Sequence, residues 1–535
     1  VPLPLDDEWV YAGLLAGDPL SWQFLLSFHN EHRIPLPRLV YLVGVWLTGD
    51  LRAPMFVAAA ALALSAAVLV RAAGRLRGRV WWTDAAVPLV LLNASHADNL
   101  TWGFQTSFAV GTLLACGVLS VIASAPGGPT GRRLAMIGLA LVLLPACGPN
   151  GLAFVPALAA WFVWLGWRRA TDAGSVRGGL ACWAWAAAGL AAVGAYFVGY
   201  ERPAHHPTPA TVADVGRTAV QLVALGAGTA VDADAGPLPK PWLAVGVAVL
   251  AGTAVAAGGL LVRGRAGDRR AVGLASFAAA ALCLTAGIAA GRAGQGADAG
   301  LTARYAMLGT PLLAWLYVVW PTAVSPAGAR FAQVLICGLC GLLFWSNTVA
   351  GTAAAARRHG PLVSAVAEIR HGIPAQFAVD RVLAVAAHPP WIPRTRGDID
   401  RLRAAGVGVF GRIAPEAVYA EREVPVTLDA RGGALADGLF RADVYDAELV
   451  LPLPDKAHIR GVRWEYELAS PTGYRPEMSL DWAGGRTIWH PLHCTGGRVT
   501  SHVWIDDTTD RLRLRFFTPG TTFRPVRITL LTDPR

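Results

Sequence analysis

Apolar residues gather into about ten runs of membrane length over the first two thirds of the chain: 52–70, 80–97, 103–124, 134–147, 150–167, 178–200, 241–262, 272–291, 305–323 and 331–349. The fourth is short and closes on "CGPNG", a break or tight turn. After about residue 350 the runs stop. Residues 350–424 read as helical, with "PLVSAVAEIRHG" and "DIDRLRAAGVGVF". From about 425 the period changes to two. Eight strands are expected, at "VPVTLDA", "DVYDAELVLPL", "RGVRWEYEL", "EMSLDWAG", "RTIWHPLH", "RVTSHVWID", "DRLRLRFFT" and "PVRITLLTD". With Gly, Pro and Asp turns between them they predict a jelly-roll-like β-sandwich. The expected fold class is a polytopic α-helical membrane protein over 1–349, a helical connector over 350–424 and a C-terminal β-sandwich over 425–535.

Composition agrees with this division. Of 535 residues, 54% are hydrophobic and 15% charged, against roughly 25% charged in soluble proteins. The net charge of +10 points to anionic partners until its location is considered. Arginines cluster at 71, 75, 77 and 79, at 132 and 133, at 168, 169 and 177, and at 263, 265, 269 and 270. These clusters fall on alternate connections, so the positive-inside rule makes them cytoplasmic. The excess charge then sets topology, the partner is a lipid bilayer, and no nucleic-acid motif is present.

The remaining connections, 1–51, 98–102, 148–149, 201–240 and 292–304, face outward, as does everything after about 350. Residues 216–239 have room for an interfacial or re-entrant helix. Because the outward N-terminal stretch has no apolar helix ahead of it here, the parity predicts a further transmembrane helix before Val1. The expected location is the bacterial cytoplasmic membrane. Of seven cysteines, only Cys494 lies in the β region, so no disulfide is expected there. Cys337 and Cys340 share one helix face and read as small hydrophobes.

The chemistry gathers on the outward side. Asp6, Asp7 and Glu8 precede Trp9. Then come His29, Asn30, Glu31, His32 and Arg33, with Arg38. Next is "SHADNLTWGFQ", with His96, Asp98, Asn99 and Gln105. Asn150 sits in "GPNG", Glu201, Arg202, His205 and His206 in "ERPAHH", and Arg292, Arg304 and Tyr305 around "GLTARY". Each cluster has a bland use as solvated loop acids, helix caps or interfacial anchors. All of them at one membrane face suggest a site, because ionisable groups near lipid are costly unless paired or hydrated. A carboxylate there suits a general base toward a hydroxyl. Arginine and histidine suit a phosphate. A base and a phosphate clamp together imply attack by an alcohol with a lipid phosphate leaving. A divalent cation held by the His and Asp residues is the competing use, although His29-x-x-His32 matches no zinc spacing.

An outward first loop with paired acids, many spans and an outward C-terminal domain resembles the C-superfamily (GT-C) membrane glycosyltransferases. "NEHRIPLPRL", "NLTWGFQTSF", "GPNGLAFVPAL" and "LTARYAMLGTPLLAWL" extend the resemblance, through bacterial membrane proteins placed near that superfamily, over roughly residues 1–350. The resemblance implies inverting transfer of a sugar from a polyprenyl-phosphate donor to a glycan or glycolipid acceptor outside the membrane, and no certain cofactor. It places Asp6 or Asp7 as the base. Arg304, with Arg33 and His32, is then expected on the donor phosphate. Glu31, His29, Gln105, Asn150 and Tyr305 are expected to line the substrate site. Two rivals stand beside it: a transporter or flippase of lipid-linked saccharides, and a membrane-anchored glycan-binding protein. For the last, Trp464, Trp482, Trp489 and Trp504 are the residues that would stack on sugars, with core packing the alternative use of each.

Overall fold

The computed structural model describes residues 2–534 except 173–174, 202–206, 233–239, 264–267, 472–474, 483–485 and 496. Arg202, His205, His206 and Arg265 therefore lie outside the described residues. The chain divides into two compact units. One holds residues 21–48 and 52–355. The other holds residues 1–20, 49–51 and 356–535.

The first unit is a helix bundle. Its main helices are α1 (Pro35–Thr48), α2 (Ala53–Arg77), α3 (Thr106–Ala123), α4 (Gly131–Leu143), α5 (Val155–Asp172), α6 (Val176–Phe197), α7 (Val212–Leu225), α8 (Pro241–Arg263), α9 (Arg269–Arg292), α10 (Ala306–Ala323) and the first part of α11 (Pro326–Arg370). Among the described residues, eight helices are long and apolar enough to cross a membrane. The chain is a multi-pass membrane protein. Helix α10 is its axis: 83% of its apolar window is buried, and Trp315 on it donates to the carbonyl of Leu274 in α9 at 2.8 Å. Small residues let helices approach closely. A Cβ on Gly226, just after α7, would lie 2.8 Å from backbone atoms of Gly309 in α10.

Two of the ten expected runs differ. The run at 80–97 is not one helix. It breaks into Trp82–Ala85, Ala86–Leu91, Ala94–His96 and, beyond the run, Ala97–Leu100. Asn93 is the cause: its Nδ2 donates to the carbonyls of Leu89 (2.7 Å) and Val90 (3.0 Å), while its Oδ1 accepts from the amide of Ser95 at 2.8 Å. One side chain closes one helix and opens the next turn. The run at 134–147 is the 13-residue α4 followed by one turn at Pro145–Cys147. It ends where Gly148 takes φ +102°. The next glycine is sterically required, since a Cβ on Gly151 would stand 1.9 Å from the carbonyl oxygen of Leu144. The extra helix expected within 216–239 is α7, which opens earlier, at Val212. Thr211 caps it by accepting from the amide of Asp214 at 3.1 Å.

The second unit carries α12 (Ala375–Ala386), α13 (Ile392–Ala404) and nine antiparallel strands: β1 (Ala420–Val424), β2 (Asp429–Arg431), β3 (Gly433–Ala436), β4 (Leu439–Ala442), β5 (Ala447–Ala469), β6 (Met478–Trp482), β7 (Thr487–Trp489), β8 (Arg498–Phe516) and β9 (Thr522–Thr532). Their order is β3-β4-β9-β5-β8-β6-β7, with β1 on β9 and β2 on β5. The C-terminal β domain is thus as expected, but four of the expected strands merge into two. Ala447–Leu453 of "DVYDAELVLPL" and all of "RGVRWEYEL" lie on the single 23-residue β5, and "RVTSHVWID" and Asp510–Phe516 of "DRLRLRFFT" on the 19-residue β8. The polar residues between them look like turns in sequence. In the fold β5 and β8 stay paired on either side of register shifts between Pro452 and Ala457 and between Ile459 and Gly461, so both strands continue through an irregularity without ending. Leu449, Leu451, Trp464, Tyr466, Leu514 and Phe523 belong to the domain's buried apolar core.

Candidate active site

In the second unit, "DDEW" forms one 3₁₀ segment, Asp6–Tyr11. Its residues divide the work. Glu8, 1% exposed, turns its Oε2 back to accept from the amide of Leu5 at 2.9 Å. This satisfies a donor that has no intrahelical partner. Its Oε1 has no hydrogen-bond partner among the described residues. Burial pushes the Glu8 carboxyl up to about 8, against the pull of the Leu5 amide.

Trp9 anchors the turn. Its indole donates to the carbonyl of Ala386 at 3.0 Å and packs edge-on against Phe410 at 5.9 Å. Ala386 ends α12, where carbonyls lack helical partners. Arg475 takes the carbonyls on either side, Val385 at 2.7 Å and Ala387 at 2.8 Å. The motif and Arg475 are therefore fixed to the same helix end.

Asp6 is what this scaffold presents. It adopts φ +46°, a left-handed conformation that few non-glycine residues take. Its Oδ2 lies 3.7 Å from the guanidinium of Arg358, and Arg475 and His388 are close enough to act on its charge. Burial, the largest influence, raises its pKa; Arg475 and then Arg358 lower it; Asp7 raises it and His388 lowers it. The net result lies above the ordinary carboxylate value. Asp7 beside it is half-buried.

Arg358, Arg475 and His388 were not singled out in the sequence. Arg358 carried a signal, since "ARRHG" is an ionisable cluster soon after the last apolar run. Arg475, alone among turn residues, carried none.

In the first unit, the stretch from His29 to Arg33 is a tight turn. The amides and carbonyls of His29 and His32 pair in both directions, at 2.8 and 2.9 Å, and Asn30 takes φ +51°. The His29-x-x-His32 spacing is thus that of a turn. The Glu31 carboxylate pairs with Arg292 at the end of α9 and lies 3.5 Å from His32 Nε2. Its backbone carbonyl accepts from the Tyr196 hydroxyl at 2.8 Å. Arg33 donates to the carbonyls of Ala195 (2.5 Å) and Val198 (2.7 Å), closing the end of α6, with its guanidinium 4.2 Å from the Phe28 ring centroid. His29 packs on Phe104, with centroids 5.0 Å apart. Gln105, one residue on, is buried at the start of α3.

Arg304 lies beside Asn99, whose Nδ2 donates to the Arg304 carbonyl at 3.0 Å. Its guanidinium stands 5.4 Å from the centroid of Tyr305. The Asn99 Oδ1 and the Tyr305 hydroxyl are both buried with no hydrogen-bond partner among the described residues. Asn150 is buried and donates to the carbonyl of Ser107 at 3.2 Å. Among the described residues no group of three or more His, Cys, Asp or Glu side chains is arranged to hold a metal ion.

Of the four candidate tryptophans in the β domain, Trp464 and Trp482 are 1% and 7% exposed and belong to its core. Trp504 packs on Phe377 at 5.0 Å. Trp489 is 43% exposed and shares Phe517 with the exposed Tyr445, at centroid distances of 5.2 and 5.3 Å.

No protein-family model and no curated protein matches this chain. Among solved structures it is similar to the arabinosyltransferase EmbB from Mycobacterium smegmatis, at 11% identity and a TM-score of 0.31 over 99% of this chain and 62% of that one. A family two carbohydrate esterase from Cellvibrio japonicus is matched at 8% identity and a TM-score of 0.17, over 22% of this chain and 37% of that one. The chain thus spans less than two thirds of either relative. At these scores neither likeness bears on its chemistry.

Proposed function

We propose that the chain is an integral membrane glycosyltransferase that moves a sugar from a polyprenyl-phosphate donor to an acceptor hydroxyl on the extracytoplasmic side, with inversion. The observation that carries this reading is Asp6: a partly enclosed carboxylate with a raised pKa, held in a strained backbone conformation and flanked by Arg358, Arg475 and His388. Raising the pKa makes the carboxylate a better proton acceptor while the flanking cations keep its charged form accessible.

In the reaction, Asp6 removes the acceptor hydroxyl proton as the oxygen attacks the anomeric carbon. A new glycosidic C–O bond forms, the bond from that carbon to the phosphate oxygen breaks, and polyprenyl phosphate leaves with the electron pair. A single displacement inverts the centre. In the first unit, Arg304 is the residue we assign to the donor phosphate, together with Arg33 and His32, and Glu31, His29, Gln105, Asn150 and Tyr305 are those we assign to substrate. Asp7, a like charge beside Asp6, helps to raise its pKa.

The test is product analysis with the purified protein in liposomes, using a radiolabelled polyprenyl-phosphate sugar and a glycan acceptor. A new glycosidic bond supports the proposal. Movement of labelled lipid across the bilayer without one would establish the flippase.

One observation favours a second reading, a membrane-anchored glycan-binding protein: the exposed pair Trp489 and Tyr445 on Phe517. Aromatic faces of this kind stack on sugar rings. Under that reading glycan binding depends on Trp489 and is indifferent to Asp6.

A further inference from the structure

At the end of the bundle where α2 finishes and α11 begins, three arginines surround one indole. The guanidinium carbons of Arg330, Arg79 and Arg77 lie 4.9, 5.1 and 6.0 Å from the centroid of Trp81. Their charges are not equally available. Arg77 is held in a buried network: it pairs with Asp84 and donates to Gln333 at 3.0 Å, and Asp84 accepts from the Tyr317 hydroxyl at 2.7 Å. Arg79 and Arg330 are exposed. Neither has a carboxylate in ion-pair contact among the described residues. Two unneutralised cations thus flank an aromatic ring at the end of a membrane helix, where Trp is a habitual interfacial residue.

Next to this group lies an apolar cleft of about 230 Å³ among Ala86–Leu91, α8, α10 and α11. Val87, Val249, Leu316, Trp320 and Ile336 line it, and Tyr317 brings it to the Arg77–Asp84 network. Gln333, one turn on from Arg330 along α11, accepts from Arg77 and donates to the carbonyl of the lining residue Tyr317 at 3.1 Å, so the basic group adjoins the cleft. Leu335, also lining the cleft, is 56% exposed, so the cleft opens on the outer surface of the bundle. An apolar opening on that surface gains dispersion contacts only when hydrocarbon fills it.

We infer that this is a binding site for an acidic phospholipid of the bilayer, with its phosphate between Arg79 and Arg330 over Trp81 and one acyl chain in the cleft. Charge complementarity fixes the class of headgroup: basic pockets between helices at a membrane surface take anionic lipids. The cleft makes the ligand a lipid and not a soluble phosphate. On the positive-inside reading it is an inner-leaflet lipid. The site does not depend on the glycosyltransferase proposal.

Native mass spectrometry of the full chain in detergent, titrated with phosphatidylglycerol and with phosphatidylcholine of the same chains, tests it. Wild-type protein retains phosphatidylglycerol preferentially. The exposed double variant Arg79→Gln/Arg330→Gln lowers that preference by about thirtyfold, at roughly fivefold per arginine near a membrane surface. Ala332→Phe, which fills the cleft, weakens binding of both lipids, and inorganic phosphate does not compete. Equal retention of the two lipids by the wild type overturns the proposal. So does an unchanged preference in the double variant, undiminished binding in Ala332→Phe, or competition by inorganic phosphate.

Discussion

Replacing Glu8 by glutamine should flatten the pH dependence of stability above pH 6.5. An unfolded glutamate titrates near 4.5, and burial moves Glu8 to about 8 in the folded protein. Between those values the folded chain holds a proton that the unfolded chain has released, so stability falls as pH rises. His490 and His493 act in the opposite sense: burial lowers them from 6.5 to about 3 and about 4. Their effect levels off about one unit above pH 6.5. It is the same in both proteins, so comparing them over the window from pH 6.5 to 8 isolates Glu8. Over it, Glu8 alone removes roughly 1.5–2 kcal/mol. Asp6, also raised, is common to both proteins and cancels in the comparison. Thermal unfolding of the purified protein in detergent, followed at pH 6.5, 7, 7.5 and 8, should show the wild-type midpoint declining more steeply than that of Glu8→Gln. The variant keeps an acceptor for the Leu5 amide. Parallel declines would mean that Glu8 is ionised in the folded state and that the account of the "DDEW" turn is wrong.

Three further outcomes follow from the packing. Arg475→Ala leaves the carbonyls of Val385 and Ala387 unpaired and should destabilise the protein by about 2–4 kcal/mol, read by denaturant unfolding. Gly151→Ala places a methyl against the Leu144 carbonyl and should abolish monodisperse protein on size-exclusion chromatography, whereas Gly194→Ala, in open space, should not. Trp464→Ala should cost about 3–5 kcal/mol, while Trp489→Ala leaves the melting temperature unchanged and weakens glycan binding measured by calorimetry.

How far the chain could be read depends on what each feature rests on. Long apolar runs are local, so eight of the ten expected runs are helices long enough to span, and the change of period near 425 follows from the pattern alone. The break at 80–97 does not, because it depends on Asn93 bonding in two directions from within a run whose mean apolarity is unremarkable. The merging of strands into β5 and β8 was hidden for a related reason. An irregularity shared by two paired strands looks, in each separately, like a turn. Arg33 and Asn150 were visible as polar residues, but their bonds to Ala195, Val198 and Ser107 are long-range and carry no local signature. Asp6 was legible as one of a pair of acids. That Asp6 is the residue facing Arg358 follows from Trp9 and Glu8 fixing the turn, with Arg475 fastened to the same helix end more than 450 positions away.

The central claim is that Asp6 is the proton acceptor. It is tested most directly by sugar transfer from a polyprenyl-phosphate donor in liposomes, comparing Asp6→Asn and Asp7→Asn with the wild type. The account predicts that Asp6→Asn loses about 10²–10⁴-fold in transfer rate with donor binding intact, and that Asp7→Asn loses far less. A wild-type rate in Asp6→Asn, or a larger loss in Asp7→Asn than in Asp6→Asn, would contradict it.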